Sequence, residues 1–400
     1  MKKLLIIGQI PKEYGGSYTT GVANVIVELS KDFTNYYDVH IYATNFQSEN
    51  VFVKDGISFH GYSKPLLMKL LTKEILTKPF SLFKEIKNYQ NEFGLPRAKF
   101  MMYRLILSKY IREIKPDIIN AHGISFVALE KHLGLKEGFY FSFHGFTMED
   151  PNSIKANKTR NIDIRRLYYN AAKYVKKAIY LTPEMKSIGE NILKIVTERD
   201  IIISNGVNIE KFGYDLNQRN TIRNNKRIGN QERVILSVGA LTHLKNHVGF
   251  IEFLMRNHFK GHYWIIGKFE AEETLGHIRK LQGEIKEFTI ELIEYVPHDE
   301  LYKYYSAADI YAQPSTSEGQ ALVVFEALCS GLPVIVNKMI SGTIPLDNTY
   351  DTYIRHLNLE LDEMPDFERF VRKELSEKCK AEFSWENSCK QYVNYFKELI

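Results

Sequence analysis

Residues 315–336 read STSEGQALVVFEALCSGLPVIV, and the order of events in that run decides the fold. A polar turn carries Glu318-Gly319, residues Gln320 to Cys329 have helical character, and Ser330-Gly331-Leu332-Pro333 supplies the glycine and proline that stop a helix. An apolar strand, Val334 to Val336, follows at once, so the run is half of a βαβ unit. Outward from it the same alternation continues. Strands are expected at Ile310 to Ala312, Ile290 to Ile293 and Tyr263 to Ile266, and the series begins with RVILSVGALTHLKNH from Arg233. Upstream, NQRNTIRNNKRIGNQE (217–232) offers almost nothing to bury and reads as a linker or exposed loop. Before it lies a second alternating series, with strands at Leu4 to Ile7, Val39 to Tyr42, Ile118 to Asn120, Phe139 to Phe143, Ala178 to Leu181 and Ile201 to Ile203. Helical periodicity fills Thr20 to Phe33, Arg97 to Ile114 and Glu184 to Val196. The chain is therefore read as α/β, with two Rossmann-like domains facing across a cleft, 1–200 and 201–383, and a last helix from Trp385.

Bulk properties agree. At 400 residues the chain exceeds one ordinary core, and its 44% hydrophobic and 25% charged residues are globular averages. The opening MKKLLIIGQIPK has an apolar run ending at Gly8, too short for a signal peptide, and reads as a first buried strand. No run approaches a membrane span. Cys329, Cys379 and Cys389 are odd in number and lack metal-ligand spacing, which points to a reducing, cytoplasmic compartment. The net charge of +5 is uneven: Lys64 to Lys115 holds twelve Lys/Arg against four Asp/Glu among many apolar residues. That segment is either a solvated helical face or a surface that rests on anionic lipid. Nothing beside it has the pattern of a nucleic-acid reader.

In the opening run, Glu318 stands just ahead of a helix start and Glu326 two turns in, about 12 Å along the axis. The free amides of Gln320, Ala321, Leu322 and Val323 lie between them, where a helix N-terminus favours phosphate. One carboxylate could accept from sugar hydroxyls and the other from ribose hydroxyls of an extended nucleotide sugar. On spacing alone, a capping carboxylate and a surface helix residue fit as well.

The run resembles the Glu, seven residues, Glu motif of the family-4 type retaining glycosyltransferases of GT-B fold, the glycosyl transferases group 1. Other family-like segments follow in order: Gly15-Gly16, NAHG (120–123), FHG (143–145), SNGVN (204–208), VGALTHLKN (238–246), SAADIYAQPS (306–315) and FSWE (383–386). The resemblance implies that Lys245 neutralises the donor diphosphate, that Gly15 and Gly16 let backbone approach it, and that His144 donates a hydrogen bond to the donor sugar. His122 then supports, and Asn205 and Gly206 shape the passage between domains. It also implies that the helix over 384–400 returns to the first domain. Two departures stand out. Ala240 replaces the family's usual arginine, and Gln320-Ala321 replaces the usual residues after the motif glycine. No Asp-x-Asp pair occurs, so no metal and no cofactor are expected beyond a UDP- or GDP-sugar substrate. The implied activity is retaining transfer of a hexose or N-acetylhexosamine to a glycan acceptor, either free or lipid-linked, in surface polysaccharide biosynthesis. The enzyme would be cytoplasmic or peripheral on the inner membrane face, with contact through 64–115. The alternatives are a catalytically silent nucleotide-sugar-binding protein and a nucleotide-sugar epimerase.

Overall fold

The computed structural model describes all residues except 19, 95–96, 134–138, 145–165, 168, 192–193, 196, 198, 345, 347, 368–370 and 399–400. Gly145, and the helix ends expected at Val196 and Leu399, lie outside the described residues. The chain forms two compact units, one of Met1–Ser204 with Ser388–Ile400 and one of Asn205–Asn387.

The first unit is built on β1 (Lys3–Gly8), β2 (Asp38–Gln47), β3 (Phe52–Lys54), β4 (Ile57–Tyr62), β5 (Ile118–Ala121), β6 (Tyr140–Ser142), β7 (Lys177–Tyr180) and β8 (Asp200–Ile202). Their order is β3-β4-β2-β1-β5-β6-β7-β8, and every adjacent pair is parallel except the β3–β4 hairpin. Asp55 and Gly56 both take positive φ at the hairpin's tip, the backbone a two-residue primed turn requires. Leu4 to Ile7 are buried on both faces, which is why β1 is a continuous apolar run. Helix α1 (Gly21–Phe33) starts where the Thr20 hydroxyl accepts from the Ala23 N–H at 3.1 Å. Phe33 packs edge-on against Tyr392, and Phe396 meets both Phe33 and Tyr140. Tyr392 and Phe396 lie on the last helix, Trp385–Lys397, whose residues from Ser388 onward group with this unit. The basic segment resolves into three helices: α2 (Lys64–Thr77), α3 (Pro79–Phe93) and α4 (Arg97–Ile114).

The second unit holds β9 (Val234–Val238), β10 (Gly261–Ile266), β11 (Phe288–Ile293), β12 (Ile310–Gln313), β13 (Val334–Asn337) and β14 (Ile354–Leu357). The order is β11-β10-β9-β12-β13-β14, all parallel. Side chains alternate along each strand. Val234, Leu236 and Tyr311 join one buried cluster, while Ile235, Ile310 and Ala312 join another on the opposite face. The strand order reverses between β9 and β12, the place where ligands of such sheets gather.

The expected linker over 217–232 is corrected by the structure. Leu216–Asn225 is a helix of the second unit, capped by Asp215, whose carboxylate accepts from the Asn217 and Gln218 N–H groups. Beside Ile222, its inward residues are arginines. Arg219 and Arg223 ion-pair with Asp309 and donate to the carbonyl of Ala307, at the end of the helix Leu301–Ala307. Arg372 completes the cluster by donating to the carbonyls of Tyr305, Ser306, Ala308, Ser330 and Gly331 at 2.9–3.1 Å. Burial lowers its pKa to about 10, so it stays charged where orphan helix-end carbonyls need donors.

Candidate active site

Two loops at the reversal point of the second sheet bring candidate residues together. The first follows β9: Gly239 and Ala240 lead into a 3-10 turn, His243–Lys245, that ends at Asn246 in the left-handed region. The second follows β12 and contains Thr316 and Glu318. The Thr316 N–H donates to the Leu244 carbonyl at 2.9 Å, which ties one loop to the other. Lys245 Nζ thereby reaches Glu318 Oε1 at 2.6 Å, with both side chains partly buried. Gln313 Nε2 also donates to that oxygen at 2.7 Å, and the Tyr311 hydroxyl donates to Gln313 Oε1 at 2.6 Å. This relay holds the carboxylate by one oxygen and leaves Oε2 without a partner among the described residues. Beneath the first loop, His247 is buried with Nδ1 3.0 Å from the Tyr263 hydroxyl, and burial, then the Lys245 charge, pushes its pKa down to about 3. Gly267 must be a glycine, because a Cβ there would stand 2.0 Å from the Gly239 carbonyl oxygen.

The helix after Glu318 spans Leu322–Cys329, two residues later than expected, with Ala321 as an N-cap that offers no side-chain bond. The Leu322 N–H is taken by the Gln320 carbonyl, so Leu322 is not one of the available donors. Gln320 turns its Oε1 to the Asn205 N–H at 3.0 Å and leaves Nε2 buried with no partner. An amide with both hydrogens unspent, ahead of a helix start, suits a ligand's oxygen atoms. Glu326 is buried and engaged: Oε2 accepts from the Tyr305 hydroxyl at 2.9 Å, and Oε1 lies 3.3 Å from Nε2 of the exposed His298. A ribose whose hydroxyls donate to this carboxylate would have to displace His298.

In the first unit, His122 follows β5 and His144 follows β6. Their rings stack, with His122 Nδ1 2.5 Å from His144 Nε2. Burial drives the pKa of His122 well below the usual value and that of His144 down to about 4, so both are neutral at pH 7. His122 Nε2 is buried without a partner. A bare buried N–H is rarer than a bare lone pair, which favours the proton on His122 Nδ1, donated to His144 Nε2. His144 then carries its own proton on Nδ1. His122 is thus a direct partner that fixes the tautomer of His144, more than the loose support expected of it. Gly15 and Gly16 belong to a turn whose N–H groups are already donated to Lys12 and Pro11. A Cβ on Gly16 would sit 1.9 Å from the Ile10 carbonyl oxygen, so close packing alone accounts for that glycine, and phosphate contact through these amides would require the turn to open.

Sequence reasoning passes over Gln313, Tyr311, Tyr305 and His298. The first two carried a signal: Tyr311 and Gln313 alternate along β12, two polar tips on one face of an apolar strand.

Residues 218–345 match the family model of glycosyl transferases group 1. The chain is 25% identical over 268 residues to the UDP-Gal:alpha-D-GlcNAc-diphosphoundecaprenol alpha-1,3-galactosyltransferase of Escherichia coli, covering 65% of this chain and 67% of that one. It is 23% identical over 291 residues to the alpha-monoglucosyldiacylglycerol synthase of Acholeplasma laidlawii, with the same two coverages of 65% and 67%. The sucrose-phosphate synthase of Thermosynechococcus elongatus superposes with a TM-score of 0.68 at 14% identity, over 100% of this chain and 99% of that one. With parallel sheets in both units and these likenesses, the chain has the GT-B fold, and its residues 218–345 match the glycosyl transferases of group 1.

Proposed function

We propose that the protein transfers a hexosyl or N-acetylhexosaminyl group from a UDP- or GDP-sugar to a glycan acceptor, with retention of anomeric configuration and without a required divalent ion, in surface polysaccharide biosynthesis. The observation that carries this reading is the Lys245–Glu318 pair at the reversal point of the second sheet, one oxygen of Glu318 locked by Gln313 and the other open. A diphosphate draws Lys245 away from Glu318. The lysine then balances the charge that grows on the leaving group, and the released carboxylate accepts from sugar hydroxyls. Gln320 Nε2 and the amides of Ala321 and Val323 supply further donors where Ala240 leaves no cation. Glu326, freed from His298, takes the ribose hydroxyls. Gly15 and Gly16 form a turn that opens toward the donor phosphate.

For His144 the role is hydrogen-bond donation from Nδ1 to the donor sugar, its tautomer set by His122. Departure of the nucleoside diphosphate with the bonding electron pair generates an oxocarbenium-like centre. The acceptor hydroxyl adds on the same face, and its proton passes to the departing phosphate oxygen. Two likenesses support a lipid-linked acceptor: the names of the E. coli and A. laidlawii relatives carry a diphosphoundecaprenol and a diacylglycerol. The test is a thermal-shift screen of nucleotide sugars, followed by mass-spectrometric transfer assays with and without EDTA. A donor that stabilises the protein and is turned over in EDTA supports the reading. Conversion of the free nucleotide sugar without any acceptor would favour the epimerase, and binding without turnover the silent protein.

A further inference from the structure

Helices α2 and α3 each have two apolar faces. The inner one is spent on the core: Leu66, Leu67, Leu70 and Ile86 pack against it, and Leu82, Tyr89 and Phe93 are buried. The outer one faces nothing in the described protein. Met68, Ile75 and Leu76 form a stripe at helical spacing on α2, and the chain turns at Lys78 to present Phe80 and Phe83 on α3. Leu76, Phe80 and Phe83 are 79%, 90% and 70% exposed, so large apolar side chains crowd one elbow.

The charge around that elbow is of one sign. Lys64, Lys69, Lys73, Lys78, Lys84 and Lys87 are exposed, and none forms an ion pair among the described residues. The carboxylates that could offset them point inward. Glu74 and Glu85 both bind Arg104, at 2.9 and 2.8 Å, and Glu92 accepts from the Tyr174 hydroxyl. Helix α4 does not share the property, since Leu105, Ile106, Leu107 and Tyr110 are buried and Lys109 is tied to Glu113.

We propose that the α2–α3 elbow docks on an anionic lipid bilayer, with Leu76, Phe80 and Phe83 entering the headgroup boundary and the lysines meeting lipid phosphates. A bilayer surface offers both an apolar layer and negative charge, which the two halves of the patch require together. A second copy of the same face would set like charges against each other. The docking itself is independent of the proposed transfer reaction, although the lipid-linked acceptor rests on that reading.

Flotation of the full chain with phosphatidylcholine vesicles, with and without phosphatidylglycerol, tests it. The wild type is expected to float with the anionic vesicles only and to be released by salt. The double variant Phe80→Ser/Phe83→Ser and the triple variant Lys73→Gln/Lys78→Gln/Lys84→Gln should each weaken binding about ten-fold or more. Their melting temperature should not move, because these side chains are already in water. A wild type that ignores anionic vesicles, or variants that bind unchanged, would overturn the proposal. So would a concentration-dependent dimer in light scattering that the phenylalanine variant abolishes while vesicle binding is absent. Flotation without any transferase activity would leave the docking standing and count against the enzymatic reading alone.

Discussion

Lys245 and Glu318 neutralise each other across 2.6 Å, so each is the counterion the other loses when a diphosphate arrives. Lys245→Ala is expected to raise donor KM and cut kcat/KM by about 10²–10³, or about 3–4 kcal/mol of transition-state stabilisation. Glu318→Ala should fall as far, chiefly in kcat, and steady-state kinetics with a fixed acceptor separates the two. Three histidines whose burial lowers their pKa, His144, His247 and His60 of β4, make a different prediction. His60 and His144 have pKa values lowered to about 4 and His247 to about 3, against about 6.5 in the unfolded chain. Their contribution to stability is complete above pH 6.5. It is lost as the pH falls toward 4, because the unfolded state takes up protons that the folded state refuses. Each costs about 1.4 kcal/mol per pH unit in that window, so urea midpoints should drop steeply from pH 6.5 to 4.5. A midpoint flat over that range would refute the assignment. For catalysis, His144→Ala should abolish transfer with the fold intact by circular dichroism, and His122→Phe should reduce it strongly by freeing the His144 tautomer. The sequence shows Lys245, Glu318 and His144 because each lies in a family-like segment. It shows Gln313 and Tyr311 only as alternating polar tips on β12, because their part comes from a hydrogen-bond relay that the folded loop creates.

Among the elements, the helix Leu216–Asn225 illustrates the limit of reading by hydrophobic period. Beside Ile222, its inward positions Arg219 and Arg223 are charged, so the stretch carries no apolar stripe and looks like a linker. Its anchor is electrostatic: guanidinium groups from this helix and from Arg372 gather at the carbonyl end of Leu301–Ala307. Arg372→Met is therefore expected to cost about 3 kcal/mol, since it strands the backbone carbonyls that its guanidinium satisfies. Chemical denaturation would register the loss, and a change below 1 kcal/mol would show that water replaces the guanidinium. The β3–β4 hairpin escapes for the opposite reason: Asp55-Gly56 is a strong turn signal, but Phe52–Lys54 is too short to stand out as a strand. The helix at Leu322 begins late because Gln320 is drawn aside to Asn205, a contact across more than a hundred residues that no local pattern encodes.

On the scale of the molecule, two alternating series yield two parallel sheets, and that plan is legible because buried parallel strands are apolar on both faces. The unit boundaries at Ser204/Asn205 and Asn387/Ser388 are less so, since the first lies in irregular chain after β8 and the second inside the continuous helix Trp385–Lys397. Removing residues from Ser388 onward takes Tyr392 and Phe396 off Phe33 and Tyr140. Such a truncation should destabilise Met1–Ser204, nearly two hundred residues away in sequence, while Asn205–Asn387 keeps its core. Limited proteolysis of the shortened chain, with fragments identified by mass, would reveal which part is cut; preferential cleavage within 205–387 would contradict the expectation. The same arrangement sets an order of events during translation. The ribosome makes the whole of the second unit before it makes the strip that finishes the first, so the first unit leaves the exit tunnel with Phe33 uncovered and must wait for its own last piece. A nascent chain stalled before Tyr392 should recruit holding chaperones at that early segment, and release should follow completion of synthesis.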